Sequence, residues 1–378
     1  MRRLTEFEQL ADPDFSRTVI AWQRQHGRHA LPWQGTRDGY RIWLSEIMLQ
    51  QTQVAAVLEY YTRFLARFPT LQALACAPSE DVMAQWSGLG YYTRARNLHA
   101  CARRVVAEYG GLFPGDPALL AGLPGIGRST AAAIAAFSCG TRAAILDGNV
   151  KRVFARVFGI EGYPGQKAVE DGLWRRAEAL LPADGIEAYT QGLMDLGATL
   201  CTRGSPDCGR CPLQARCLAH ASGRTAELPV RKPAKTKPEK RAALLMIVAD
   251  GQVLLEQRPD SGIWGGLMSL PEVDGHAAEA APMAAVAAHA GRFGQVEQIE
   301  ALLPVVHVFT HYKLHILPYR VTLAHSAAQA PCLWWKMSDI ANAPLPAPVK
   351  KLLAEGSDPG SQTPAQPGSD PLKRKTGV

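Results

Sequence analysis

Apolar side chains recur at helical spacing through the first half of the chain and alternate with polar ones over several short stretches after residue 243, so a helical part precedes a strand-rich part. Residues 15–29 read as a helix that Leu31-Pro32-Trp33 stops. A long helix is expected over 40–67 and an amphipathic one over 71–86. Near 123–134 the run Leu123-Pro-Gly-Ile-Gly-Arg-Ser-Thr-Ala reads as a tight turn followed by an alanine-rich helix, and further helices are expected over 149–158 and 189–200. Strands are expected over 243–249, 253–257, 305–310 and 314–321, with a turn at Asp250-Gly251 and a helical run over 277–290. Residues 221–243 are basic and broken by prolines, which predicts an extended linker, and the Pro/Gly/Ser-rich tail from Glu355 onward is expected to be disordered. The domains are therefore 1–220, 244–355 and a tail over 356–378, and no internal repeat is present.

At 378 residues, 47% apolar and 20% charged, the chain can bury two or three cores. The net charge of +7 is uneven: 221–243 carries 7 Lys and Arg against 2 Asp and Glu. That balance, with a pI near 9.0, suits a nucleic-acid partner and equally a basic soluble enzyme. The N-terminal segment has no apolar run fit for a signal peptide, and no apolar stretch approaches a membrane span, so no membrane partner and a cytoplasmic location are expected. Four of the eight cysteines fall together as Cys201-x6-Cys208-x2-Cys211-x5-Cys217. In a reducing compartment such a cluster is a metal site before it is a disulfide framework, and its spacing leaves zinc and iron–sulfur equally open.

The candidate chemistry lies in three places. Glu46, Gln50 and Gln53 fall at i, i+4 and i+7 of a helix otherwise rich in Trp, Ile, Met and Leu. A solvated face would give the same spacing. Yet Glu46 sits between Trp43, Ile47 and Leu49 with no basic residue at i+3 or i+4, a setting that raises a carboxyl pKa and keeps a proton available. Gly88-Leu-Gly-Tyr-Tyr92 places two adjacent tyrosines before Arg94, Arg96 and Asn97; one tyrosine is available as a wedge in a base stack, with arginines on phosphates. The Gly125/Gly127 turn presents helix amides that can grip a phosphate on any DNA sequence, and Asp147 stands where a helix cap is expected.

With Ser45-Glu-Ile-Met-Leu-Gln-Gln-Thr-Gln53, Gly88-Leu-Gly-Tyr-Tyr92, the Leu-Pro-Gly-Ile-Gly hairpin, Leu146-Asp-Gly-Asn-Val150 and the cysteine loop in this order, the chain closely resembles the adenine DNA glycosylase (MutY) family over about residues 17–355. The resemblance implies a multidomain fold: an all-α helix-hairpin-helix glycosylase domain with an iron–sulfur loop at 201–217, and an α+β Nudix-like C-terminal domain. It implies a [4Fe-4S] cluster on Cys201, Cys208, Cys211 and Cys217. It also implies a monomer that hydrolyses adenine from adenine:8-oxoguanine or adenine:guanine mispairs in double-stranded DNA, in a bacterial cytoplasm and associated with the nucleoid through DNA. Glu46 is then the general acid, Asp147 the stabiliser of the sugar cation, and Asn149 its support; the two acids need different pKa values, which burial of Glu46 and helix-cap hydrogen bonds that keep Asp147 acidic are expected to supply. Trp33, Leu49 and Gln191 line the adenine pocket. Gln50, Gln51, Tyr91, Arg94, Gly125, Gly127 and Ser129 contact DNA, with Gln51 and Tyr91 wedged at the lesion. The similar endonuclease III carries a lysine nucleophile where this chain has Ser129, and a hydroxyl forms no Schiff base. Residues 254–272 resemble the start of a Nudix fold, but the clustered carboxylates of a pyrophosphatase do not follow. Phe309-Thr310-His311 resembles the family's Phe-Ser-His reader of 8-oxoguanine, with threonine in the middle place.

Overall fold

The computed structural model describes residues 6–232, 236–259, 262–274, 282–309, 312–326 and 332–355. It divides into two compact units, one of Met1–Val82 with Thr93–Ala234 and one of Met83–Tyr92 with Lys235–Val378.

The first unit is helical: α1 (Glu6–Leu10), α2 (Pro13–His26), α3 (Gly39–Leu49), α4 (Val54–Arg67), α5 (Leu71–Cys76), α6 (Ser79–Trp86, whose end belongs to the second unit), α7 (Thr93–Tyr109), α8 (Pro117–Ala121), α9 (Arg128–Cys139), α10 (Gly148–Val157), α11 (Lys167–Ala179) and α12 (Ile186–Asp195). A π-helical turn (Leu196–Leu200) extends α12, and short turns through the cysteine loop lead to α13 (Leu218–Ala221). Aspartates start several of these helices. Asp12, Asp38, Asp116 and Asp147 each accept a hydrogen bond from an amide of the first turn, which satisfies a donor the helix itself cannot. One core joins Phe15 and Val19 of α2, Ala132 and Ala136 of α9, Val150 and Phe154 of α10 and Leu193 of α12. The alanines let helix axes approach closely, which packs α9 against α3 and α12.

Two expected helices are each split. The run over 40–67 breaks at residues 50–53, where Gln51 adopts a left-handed φ of 57°, and Pro78 separates α5 from α6. Gln53 therefore starts α4 as an exposed residue and does not extend the face of Glu46.

Among the described residues the second unit is built on a mixed sheet of eight strands: β1 (Glu239–Ala249), β2 (Gln252–Gln257), β3 (Met268–Ser269), β4 (Glu272–Asp274), β5 (Val296–Ala301), β6 (Val305–Val308), β7 (Lys313–Leu323) and β8 (Cys332–Lys336). Its spine is the parallel pair β1 and β7, in register from Glu239↔Lys313 to Val248↔Thr322. Helix α14 (Pro282–Ala290) covers a core of Leu245, Ile247, Val286, Phe293 and Val321, and α15 (Ala347–Glu355) closes the described chain. β1 begins inside the segment expected to be linker, because pairing with β7 orders its polar first residues. Ser87 donates to the Leu345 carbonyl at 2.8 Å, which fastens 83–92 within this unit. Among the described residues no helix is long and apolar enough to cross a membrane.

Candidate active site

Helix α3 carries Glu46 to the wall of a cavity of about 520 Å³, which Trp33, Leu49, Gln191, Arg28 and Phe137 also line. Three of these were expected to form an adenine pocket and they do share one cavity. Trp33 is 7% exposed and packs edge-on against Tyr61 at 5.3 Å, so its indole is a fixed wall. Burial pushes the Glu46 carboxyl up to about 7, and the nearby charge of Asp147 adds to the rise. No hydrogen bond to that carboxyl is found among the described residues. Its proton is therefore held by desolvation and remains available to an incoming group.

Gln191 is oriented by residues that sequence reasoning missed. Its amide nitrogen donates to Asp195 Oδ1 at 2.8 Å. The fully buried Asp195 also accepts from Arg28 through Nε at 2.7 Å and the backbone amide at 2.8 Å. With the nitrogen committed to a carboxylate, the Gln191 carbonyl oxygen is left as an acceptor. The one sequence signal for Asp195 is a lone acid in the apolar run Leu193-Met-Asp-Leu196.

Asp147 and Asn149 do not line the cavity themselves, although the charge of Asp147 reaches Glu46. Asp147 caps α10, accepting from Val150 N at 2.8 Å and from Asn149 Nδ2 at 3.1 Å. Capping was expected to keep it acidic. Burial instead raises its pKa, and the hydrogen bonds from Val150 and Asn149 only offset part of that rise. Asp147 has these donors and Glu46 has none, and the charge of Asp147 makes the Glu46 proton harder to remove. Behind Asn149, Arg152 donates to Asn149 Oδ1 at 2.8 Å and to the carbonyls of Gly197 and Cys201 at 2.7 Å each. Gly197 is packed so closely that a Cβ there would lie 2.9 Å from Asn149 Cα.

The turn between α8 and α9 forms as expected. Gly125 has φ 78°, and a Cβ on it would meet Asn97 Cβ at 2.9 Å. Gly127 starts α9, whose first intrahelical bond runs from Ala131 N to Gly127 O, so the preceding amides point outward. The Ser129 hydroxyl accepts from Leu146 N at 2.9 Å and ties the hairpin helix to the residue before Asp147. Gln50 reaches the same turn, with Nε2 3.4 Å from both Gly125 O and Thr130 Oγ1.

Arg94 is placed differently from its expected role on a phosphate. It is 8% exposed, and its guanidinium donates to the carbonyls of Ile47, Met48 and Gln50 and to Thr52 Oγ1 at 2.6–3.0 Å. These carbonyls lie at the end of α3, where the helix runs out of amide donors and the Ile47 carbonyl has only the capping amide of Gln50 at 3.4 Å besides. The same bonds hold the left-handed, exposed Gln51 in its turn. In the second unit, Tyr91 also has a left-handed φ (51°) and is 48% exposed, while the Tyr92 hydroxyl accepts from Gly88 N at 3.3 Å. One tyrosine of the pair is thus presented and the other is tied in.

Cys201, Cys208, Cys211 and Cys217 carry free thiols and line one pocket, with Val153, Val157 and Leu213 among its apolar residues. Burial pushes the Cys211 thiol up to about 11 and raises Cys217 as well, with the other thiols adding to both, so a bound group must displace protons and bring positive charge. Arg156 Nη1 lies 3.3 Å from Cys201 Sγ. Among the described residues no three thiol, imidazole or carboxylate groups close around a single-ion site. In the second unit Phe309 stacks on Tyr312 at 4.8 Å and meets His307 at 4.5 Å and Trp264 at 5.9 Å. Thr310 and His311 lie outside the described residues.

Residues 44–179 match the family model of the HhH-GPD superfamily base excision DNA repair proteins, and residues 242–355 that of the NUDIX domain. The chain is 34% identical to the adenine DNA glycosylase of Buchnera aphidicola (subspecies Schizaphis graminum) over 90% of its own length and 97% of that protein's. It is 34% identical to the adenine DNA glycosylase of Rattus norvegicus over 92% of its own length and 79% of the relative's. Among solved structures, a thermostable thymine-DNA glycosylase superposes on 55% of this chain and 96% of its own with a TM-score of 0.51 at 30% identity. The matches to both family models and the identity that runs through both units place the chain in the adenine DNA glycosylase family of base-excision-repair enzymes.

Proposed function

We propose that the substrate is adenine paired with 8-oxoguanine or guanine in duplex DNA, everted into the Glu46 cavity and released by hydrolysis of its N-glycosidic bond. The observation that carries this reading is the pairing of a desolvated carboxyl, with its pKa near 7, and a second carboxylate close enough to act on it. Glu46 donates its proton to N7 of adenine, since a neutral purine leaves far more readily than its anion. Asp147, as a carboxylate held by Val150 and Asn149, stabilises the positive charge that develops on the sugar. Trp33 and Leu49 enclose the base, and the Gln191 carbonyl accepts from its exocyclic amine.

The hairpin amides at Gly125 and Gly127, with Ser129, hold a phosphate, and Gln50 supports them. Gln51 and Tyr91 each enter the base stack; the left-handed backbone at both positions sets the side chain outward. Thr310 and His311, which follow Phe309 in the sequence, read 8-oxoguanine. The four thiols of the cysteine loop fit a [4Fe-4S] cluster better than a single zinc ion, because they ring a pocket without converging on one point. When bound, that cluster would cross-link the loop against α10.

Single-turnover assays on duplexes with adenine opposite 8-oxoguanine test the reading. Wild-type protein should release adenine, and Glu46→Gln should bind the duplex but release none. Release at the wild-type rate by Glu46→Gln would remove Glu46 from the mechanism.

A further inference from the structure

Gln191 and Asp195 stand one turn apart on α12, and of the two only Gln191 lines the cavity that holds Glu46. Asp195 lies behind it, fully buried, with its carboxylate held from two sides. Oδ1 accepts from Gln191 Nε2 at 2.8 Å and from Arg28 Nε at 2.7 Å, and Oδ2 accepts from the Arg28 backbone amide at 2.8 Å. Arg28 is braced in turn. Gln34 Nε2 donates to the Arg28 carbonyl at 2.9 Å, while Gln34 Oε1 accepts from Leu31 N at 3.0 Å. The loop that leads to Trp33 therefore fixes a carboxylate 167 residues further along the chain.

A side-chain amide can turn over in most settings, since its oxygen and nitrogen have nearly the same shape. Here it cannot. A carboxylate paired with a guanidinium only accepts, so a turned Gln191 would set its oxygen against Asp195 Oδ1 and leave two buried acceptors facing each other. The Gln191 carbonyl has no donor among the described residues and is the group left for the cavity. A base in that cavity meets an acceptor that cannot become a donor. This favours a 6-amino purine and disfavours a 6-oxo purine such as guanine or hypoxanthine, whose C6 oxygen would oppose the carbonyl. Both kinds of purine present N7 to Glu46, so the acid does not discriminate between them.

We propose that Asp195 and Arg28 are positioning residues that set base specificity: by locking the Gln191 amide they admit 6-amino purines and exclude 6-oxo purines, the guanine of normal pairs among them. The proposal rests on the reading that the chain releases a purine base from this cavity.

The test compares single-turnover release of adenine and of hypoxanthine, each opposite 8-oxoguanine in the same duplex, by the full, cluster-loaded chain. Hypoxanthine differs from adenine at C6 and in the N1 proton that goes with it. Wild-type protein should release adenine faster by about 10- to 100-fold or more, the effect of one buried acceptor left unpaired. In Arg28→Met/Asp195→Asn the buried ion pair becomes a neutral pair, a change that protein interiors often tolerate. The backbone amide of residue 28 then takes the new side-chain oxygen, the new NH2 faces Gln191, and the Gln191 amide turns over to put its own NH2 into the cavity. Adenine release should fall by about 10- to 100-fold and hypoxanthine release should rise above wild type by about 10-fold, a gain that damage to the fold cannot give. Asp195→Asn alone should keep the wild-type preference, because the guanidinium still holds the side-chain oxygen at the place it shares with Gln191. Loss of both releases in a double variant that melts like wild type overturns the proposal. So does inversion in Asp195→Asn alone, which would leave Arg28 without a part. Should the double variant fail to fold, Gln191→Leu answers the same question. It removes the carbonyl, so hypoxanthine release should rise while adenine release falls, and a fall in both overturns the proposal. Absence of adenine release from the wild-type chain defeats the functional reading, whereas adenine release without the switch in preference defeats this inference only.

Discussion

Gly197→Ala tests whether the packing behind Asp147 sets the rate. In the wild-type chain the π-helical turn after α12 presses against the first turn of α10, where a Cβ on residue 197 would stand 2.9 Å from Asn149 Cα and 3.1 Å from its Cγ. Carbon atoms separate comfortably at about 3.5–4.0 Å, so α10 and the turn must part by roughly half an ångström or more. Overpacking of this kind costs about 1–3 kcal/mol of stability. The larger effect should be on catalysis, because Asn149 donates the 3.1 Å bond that orients Asp147, and Arg152 holds both Asn149 and the Gly197 carbonyl. Misplacing a catalytic group by about 1 Å can cost on the order of 100-fold in rate. Single-turnover adenine release at saturating duplex should therefore fall by about 10- to 100-fold, with a modest drop in the thermal midpoint. Gly204→Ala is the control, since a Cβ there meets nothing within 4 Å. A Gly197→Ala protein that works at the wild-type rate would refute the argument that this contact fixes Asp147.

Glu46 should destabilise the fold as pH rises. Its carboxyl keeps a proton in the native state up to about 7 while the unfolded chain gives it up near 4.5, so stability falls across that window by at most about 3 kcal/mol. Thermal melts of Glu46→Gln and wild type should accordingly coincide more closely at pH 5 than at pH 8, where the variant melts higher; a pH-independent difference would contradict the assigned burial. Arg94→Ala removes the guanidinium from the carbonyls of Ile47, Met48 and Gln50, leaving Ile47 and Gln50 one long bond each at 3.4 Å, and should cost about 3 kcal/mol in a denaturant titration. Wild-type stability in that variant would mean that the turn at Gln51 holds itself. Gln191→Leu should slow release of adenine by about 10- to 100-fold yet barely affect a purine lacking the exocyclic amine. Equal losses on both substrates would show that the Gln191 carbonyl does not read that amine.

Local features were legible in the sequence wherever the cause is local. Asp147 is a cap because it precedes a helical run. Glu46 could be read as a raised carboxyl because its apolar neighbours are adjacent on the same helix. The break at 50–53 was not legible, since the groups that impose it are the guanidinium of Arg94, far along the chain, and the carbonyls at the end of α3. Arg28 and Asp195 were missed for the same reason, being 167 residues apart and joined only in the folded unit. Burial of Asp147 was equally hidden, so its pKa was expected to fall when it rises. The early start of β1 followed from partners supplied by β7: Glu239 pairs with Lys313 and His315, which turns a polar stretch of expected linker into a strand.

The central claim is that two acids distant in sequence act on one nucleoside, and direct titration of Glu46 tests it. Carbon-13 resonances of labelled glutamate side chains, followed against pH in the wild-type chain and in Asp147→Asn, report the Glu46 carboxyl without any need for turnover. The account predicts a midpoint near 7 in the wild type and a lower one in Asp147→Asn, where the neighbouring charge is gone. A midpoint near 4.5 in the wild type, or one that Asp147→Asn does not move, would contradict it.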